Sequence, residues 1–218
     1  MRRLVLTTWL LLLTAGLVFS QDMERRTIKR DMDISWQGGR LRLSVDFTDV
    51  FTPRLRRRLS SGFTSRLLVD VVLRERHHHT PLARALLQCT VLYDLWEERY
   101  FVRRELPGRR HDLGLRSLAD VVKTCGRIEH LELAPLLALP ARVEVEAELR
   151  VTVNPTSPRL QRKVRQYLAN PGGSSPLGSP RSFFGSFSRI FVDEKEIQAD
   201  MIYTYRSPAR KLVRPQQE

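Results

Sequence analysis

Acidic residues are scarce in this chain. Its 218 residues hold 24 Asp and Glu against 37 Lys and Arg, a formal net charge of +13. Cysteine is scarcer still, with two residues, Cys89 and Cys125, which excludes a CxxC redox pair and a cysteine-rich metal cluster. Aromatic side chains make up 8% of the sequence, and its basic residues alternate with acidic ones instead of forming an aromatic-studded stripe. That pattern argues against a nucleic-acid groove, so no nucleic-acid partner is expected. There is no Gly-x-Ser-x-Gly elbow, no HExxH and no phosphate loop, so common hydrolase, zinc-protease and nucleotide chemistries lack their motifs. No cofactor is expected, and no internal repeat or heptad run is evident.

What is present begins at the amino terminus. Arg2 and Arg3 precede an apolar run from Leu4 to Phe19, and Val18 and Ser20 suit the minus-three and minus-one pockets of a signal peptidase. A basic head, an apolar middle shorter than the ~20 residues of a membrane span and a polar start at Gln21 read as a Sec-type signal peptide over 1–20. The alternative is an uncleaved inner-membrane anchor. Either way the body is expected outside the cytoplasm, in the periplasm of a Gram-negative bacterium. Removal of the leader leaves about 200 residues, a length suited to one domain.

Alternation and turn signals then divide the body. A polar extension is expected over 21–33, a domain over 34–206 containing a flexible loop over 170–182, and a disordered tail over 207–218. Leu41, Leu43, Val45 and Phe47 alternate with polar residues, as do Leu67, Val69, Val71 and Leu73, then Leu87, Cys89, Val91 and Tyr93. This is the period-two signature of strands with one face buried. The clearest strand runs from Val143 to Val153, with Glu144, Glu146 and Glu148 on its outer side. Pro107 to Gly114 reads as a polar loop, and the stretch through Pro135 and Pro140 as an irregular link. Three helices fit between the strands. The first is capped by Thr52 and Pro53 and ends near Gly62. The second runs from Ser117 to Gly126, and the third follows Ser157. The fold expected is α+β, mainly an antiparallel sheet, sandwich-like or curved, with two to three short helices packed on it.

Candidate functional residues fall into four groups. Cys89 on a strand and Cys125 on a helix both point inward, and in an oxidising compartment a disulfide between them competes with a pair of buried thiols. The helix bearing Arg54, Arg56, Arg57 and Arg58 and the one bearing Arg159, Arg162, Lys163 and Arg165 offer planar, bidentate contacts to phosphate or carboxylate. Asp94, Glu97 and Glu98, or the row Glu144, Glu146 and Glu148, supply carboxylates for glycoside hydrolysis, although the row equally describes the wet side of a half-buried sheet. His77, His78 and His79 form an exposed turn able to hold Cu(II) or Ni(II) weakly, but no nearby pattern completes a site, so no metal site is expected.

Several longer segments carry a resemblance: FTDVFTPRLRRRLSSGF (47–63), VLYDLWEERYFV (91–102), NPTSPRLQRKVRQYLANP (154–171) and SFFGSFSRIFV (182–192). Together they resemble domain of unknown function 4390, an uncharacterised bacterial family. The resemblance implies an exported envelope protein of Gram-negative bacteria without a known activity. It supplies no catalytic residue. The expectation from the whole chain is an envelope accessory or interaction protein, more a binder than an enzyme, whose basic helices meet an anionic lipid surface or an envelope protein. A glycan hydrolase using Asp94, Glu97 or Glu98 and a lipid-binding module are the alternatives.

Overall fold

The computed structural model describes residues 24–77, 81–156, 158–169, 199–213 and 215. The expected leader, the loop over 170–182, the aromatic cluster over 182–192, the cap at Ser157 and His78 and His79 lie outside the described residues.

Eleven strands and three α-helices are described. They follow the order β1 (Glu24–Lys29), β2 (Asp33–Gln37), β3 (Arg40–Asp46), α1 (Pro53–Leu59), β4 (Ser65–Glu75), β5 (Pro81–Asp94), β6 (Arg99–Leu106) and β7 (Arg109–Leu115). Then come α2 (Leu118–Gly126), β8 (Arg127–Pro135), β9 (Arg142–Val153), α3 (Pro158–Ala169), β10 (Met201–Arg206) and β11 (Arg210–Val213). The large sheet has the order β1-β10-β9-β4-β5-β6-β7, with β11 also on β9, and a smaller sheet has the order β2-β3-β8. Every pairing is antiparallel except β1 with β10. The fold is therefore α+β and mainly antiparallel, as the alternation predicts.

One core fills the space between the sheets. The large sheet contributes Leu67, Val69, Val71 and Leu73 from β4, Leu87, Cys89 and Val91 from β5, and Val145, Leu149 and Val151 from β9. Leu41, Leu43, Ile128 and Leu131 face them from the small sheet, and Leu55, Leu59, Val121 and Val122 close the gap from α1 and α2. β4 lies at the centre, and Leu68 is buried on its other face because α3 covers it with Leu160, Val164 and Leu168. A strand covered on both sides loses clean alternation, which accounts for Leu68 and Val72 on the side expected to be wet.

Four expectations need correction, and three of the misses share one physical root. The supposed extension over 21–33 contains β1, which pairs in parallel with β10. The supposed disordered tail contains β11. The six residues of β10 cover only half of the edge of β9, and after a break at Ser207 the chain pairs again with Val143 and Val145. The supposed loop over 107–114 is a tight turn at Gly108, where φ is +69°, followed by the edge strand β7. The supposed link after Gly126 is β8. β1, β7 and β11 are edge strands held chiefly by main-chain hydrogen bonds, so few of their side chains are buried and little hydrophobic period marks them.

Candidate binding surface

α1 forms because Thr52 accepts a hydrogen bond on its side-chain oxygen from the Leu55 amide at 3.3 Å and Pro53 occupies the first helical position. Leu55 and Leu59, one turn apart, sink into the core and turn the four arginines outward. Arg56 donates from Nε to the Phe51 carbonyl at 2.8 Å, and Arg58 lies 3.5 Å from the carboxylate of Asp200. Arg54 and Arg57 are exposed and have no partner among the described residues.

α3 lies on the opposite face of the large sheet, where Leu160, Val164 and Leu168 pack against Leu68, Leu86 and Ile202. Arg162 and Arg165 are exposed on it, while the side chains of Arg159 and Lys163 lie outside the described residues. Beneath the helix, the Arg84 guanidinium donates twice to the Asp70 carboxylate, at 2.7 and 2.5 Å, and Asp70 is buried. Burial raises the pKa of the neighbouring Tyr167 hydroxyl, with the charges of Arg84 and Asp70 acting on it in opposite senses.

The carboxyl end of α1 and the amino end of α3 lie at the same end of the large sheet, on opposite faces. Asn154, at the end of β9, donates from Nδ2 to Asp200 at 2.7 Å, the same carboxylate that Arg58 of α1 approaches. Gln161, in the first turn of α3, donates to the Pro155 carbonyl at 2.8 Å and accepts from Arg66 at 3.3 Å. Asn154 and Asp200 thus join the carboxyl end of α1 to the amino end of α3. The sequence put these arginines on two separate helices; the sheet sets the ends of those helices at one end of the molecule.

The same end carries the β5–β6 turn. Asp94 accepts from the amides of Trp96 and Glu97 at 2.8 and 3.0 Å, and these bonds hold its carboxyl below the usual range. Glu98 closes the turn in the left-handed region, at φ +49°. The turn thrusts Trp96 outward, 96% exposed, beside Leu95 at 64% and, from the α1–β4 connection, Phe63 at 72%.

The match to known protein families follows this geometry. Residues 25–160, more than half of the chain, match the family model described as Domain of unknown function (DUF4390). The chain belongs to that family. The matched span of this DUF4390 protein holds the two sheets' β1 to β9, α1, α2 and the disulfide, whereas the motif over 182–192 lies beyond it. No curated protein and no solved structure matches the chain.

Within this DUF4390 chain, Cys89 and Cys125 are joined as a disulfide, Cα atoms 5.8 Å apart, tying α2 to β5. The glutamate row of β9 is engaged in ion pairs. Glu144 lies 2.6 Å from Arg76 and 3.3 Å from His77, and hydrogen bonding with Arg76 is the largest cause of its lowered pKa. Glu146 lies 3.8 Å from Arg76, and Glu148 lies 3.3 and 3.1 Å from Arg150 and Arg206. A general acid in glycoside hydrolysis needs a raised pKa, the opposite of what Asp94 and Glu144 have. Among the described residues no group of three His, Cys, Asp or Glu is placed to hold a metal ion.

An open depression of about 500 Å³ is lined by Asp31, Asp33, Asp46, Arg127 and Arg210 together with the apolar Val45 and Ile128. Arg127 lies 2.7 Å from Asp46, and Arg210 pairs with Asp31. No described helix is long and apolar enough to cross a membrane. No hydrophobic period marks Trp96 or Phe63 in the sequence. The signal available was Leu95-Trp96 inside a turn otherwise made of Asp and Glu, since a turn tip seldom carries two large apolar residues.

Proposed function

We propose that this protein is exported and acts in the cell envelope by binding, as an accessory or interaction protein whose basic helices hold it against an anionic lipid surface or an acidic partner. The observation that carries this reading is the placement of the carboxyl end of α1 and the amino end of α3 at the same end of the sheet, linked through Asp200 and Asn154, with Arg54, Arg57 and Arg58 on the first helix and Arg162 in the early turns of the second. Two of these, Arg54 and Arg57, have guanidinium groups without a partner among the described residues, and such groups are free to take up phosphate or carboxylate oxygens in bidentate fashion. The excess of base over acid in the whole chain adds a long-range attraction to anions, screened within about 8 to 10 Å at physiological salt.

Export rests on the basic and apolar leader, and the disulfide fits an oxidising compartment. The test is cross-linking of the full chain in intact cells, with the captured molecule identified. Arg54→Glu with Arg57→Glu should lower capture by about tenfold while leaving the thermal midpoint within a degree or two, because these exposed side chains support no core contact. Unchanged capture would remove the electrostatic reading. A reporter fused behind residue 40 that stays in the cytoplasm would remove the envelope setting.

A further inference from the structure

We infer that the β5–β6 turn is a wedge that enters the interface of an anionic lipid bilayer, with Trp96, Leu95 and Phe63 as the inserted side chains and the α1 arginines on the head groups. This rests on the binding reading above and narrows its partner to lipid. Large apolar side chains are normally withdrawn from water, yet these three are 96, 64 and 72% exposed at one end of the molecule. They are neighbours: a Cβ built on Gly62 would stand 3.1 Å from the Leu95 side chain, which puts Phe63 beside the turn. Leu92 and Phe101, opposite each other on β5 and β6 near the turn, are also partly exposed, on the sheet face away from α1.

The turn is stiff, since Asp94 fixes the Trp96 and Glu97 amides and the disulfide anchors β5 at Cys89. Ordering it on binding therefore costs little conformational entropy.

Charge and connectivity favour lipid over protein. The four arginines of α1 and Arg99 outnumber Asp94, Glu97 and Glu98, and Glu97 lies 3.8 Å from Arg99. Glu97 and Glu98, which follow Trp96, confine insertion to head-group depth, the level at which Trp is enriched at membrane interfaces. Five apolar side chains fall short of the roughly 20 to 30 residues a side of a stable protein interface, whereas a bilayer needs only a few inserted anchors. β1, β4 and β10 run parallel to one another and begin at the end where β5 and β9 finish. Glu24, the first described residue, therefore stands at the end that bears Trp96.

The test uses the full chain carrying Trp9→Phe and Trp36→Phe, which leaves Trp96 as the only tryptophan. It is added to vesicles of phosphatidylglycerol with phosphatidylcholine, and to vesicles of phosphatidylcholine alone. Entry predicts a blue-shifted Trp96 emission and quenching by brominated acyl chains on the anionic vesicles, both reduced by Arg54→Glu with Arg57→Glu. Phe63→Ala with Leu95→Ala should lower the quenched fraction on the order of tenfold, since two apolar anchors are lost. Co-sedimentation that prefers anionic vesicles while Trp96 stays unshifted and unquenched would overturn the wedge and leave the arginine reading standing. Quenching that is equal on both vesicle types would keep the tip in lipid and sink the arginine reading. A photo-cross-linker at position 96 that captures one protein in cells, and no lipid, would replace the bilayer with a protein partner.

Discussion

Reducing the disulfide gives the sharpest test of how this fold is held. Cys89 lies in the middle of β5 and Cys125 in the last turn of α2, each 4% exposed, with 36 residues between them in sequence. The bond restricts the unfolded chain: for a loop of that length, closure removes roughly 13 cal/mol/K from the unfolded ensemble, about 4 kcal/mol at room temperature. A chain of this size loses about 2 to 4 °C of thermal midpoint per kcal/mol, so reduction should lower the midpoint by roughly 8 to 15 °C.

The folded state should change little, because two buried thiols pack as small hydrophobes in the space the bridge occupied. Circular dichroism melts of the oxidised and reduced chain would give the shift, with mass spectrometry counting free thiols before each melt. Cys89→Ala with Cys125→Ala should match the reduced wild type to within about 1 kcal/mol if the effect resides in the unfolded chain. A shift below about 3 °C, with complete bridging before reduction and complete thiols after it, would refute the entropic reasoning.

Three further outcomes follow from the packing and charge of the fold. Gly126→Ala should destabilise by about 1 to 3 kcal/mol in chemical denaturation, because an added Cβ would stand 2.8 Å from Thr48 Cγ2 and 2.9 Å from Phe51 Cε2; an unchanged midpoint would show that this contact relaxes freely. Asp70→Asn should cost about 3 kcal/mol by leaving the Arg84 guanidinium nearly buried without its counter-charge, while Asp70→Leu with Arg84→Leu should recover much of the loss; no recovery would mean that the pair itself stabilises. The Tyr203 hydroxyl is pushed up to about 12, first by burial and then by its hydrogen bond to Glu24, and burial followed by the charge of Asp49 raises Tyr205 as well. Both groups have folded pKa values above the ordinary 10.0, so their contribution is complete below pH 10 and is lost as pH rises toward 12. Alkaline unfolding followed by tyrosinate absorbance should move to higher pH in Tyr203→Phe with Tyr205→Phe, and an unmoved midpoint would sink this account.

The central strands were legible in the sequence because burial writes itself into side chains. β4, β5 and β9 each turn a regular apolar face to the core, so the alternation of Leu67 to Leu73, Leu87 to Val91 and Val143 to Val153 named them without coordinates. The caps at Thr52, Pro53 and Ser117 named α1 and α2 in the same way, since they satisfy amides that any helix start leaves open. The peripheral strands were illegible for the complementary reason. β1, β7 and β11 are stabilised mainly by main-chain hydrogen bonds to a neighbour, and nothing local in their side chains encodes that neighbour. β2 and β3 show the intermediate case: Gly38 and Gly39, both at positive φ, are a hairpin signal that sequence reasoning passed over because Asp33 to Gln37 looked polar.

By itself, then, the sequence determined which residues are buried, which helices are capped, that both cysteines point inward and that the chain is strongly basic. It also carried the motifs of its family. Only the tertiary structure decided which surfaces become neighbours. α1 and α3 are about a hundred residues apart in sequence, and their ends share one end of the sheet because β4, β9 and β10 pair in a register that sets Asn154 and Asp200 side by side. Trp96 is exposed for a related reason: a turn capped by Asp94 projects past the end of the sheet, beyond the reach of the core that takes up Leu67 and Val91. Periodicity is a property of single elements, whereas a binding surface is a property of their arrangement.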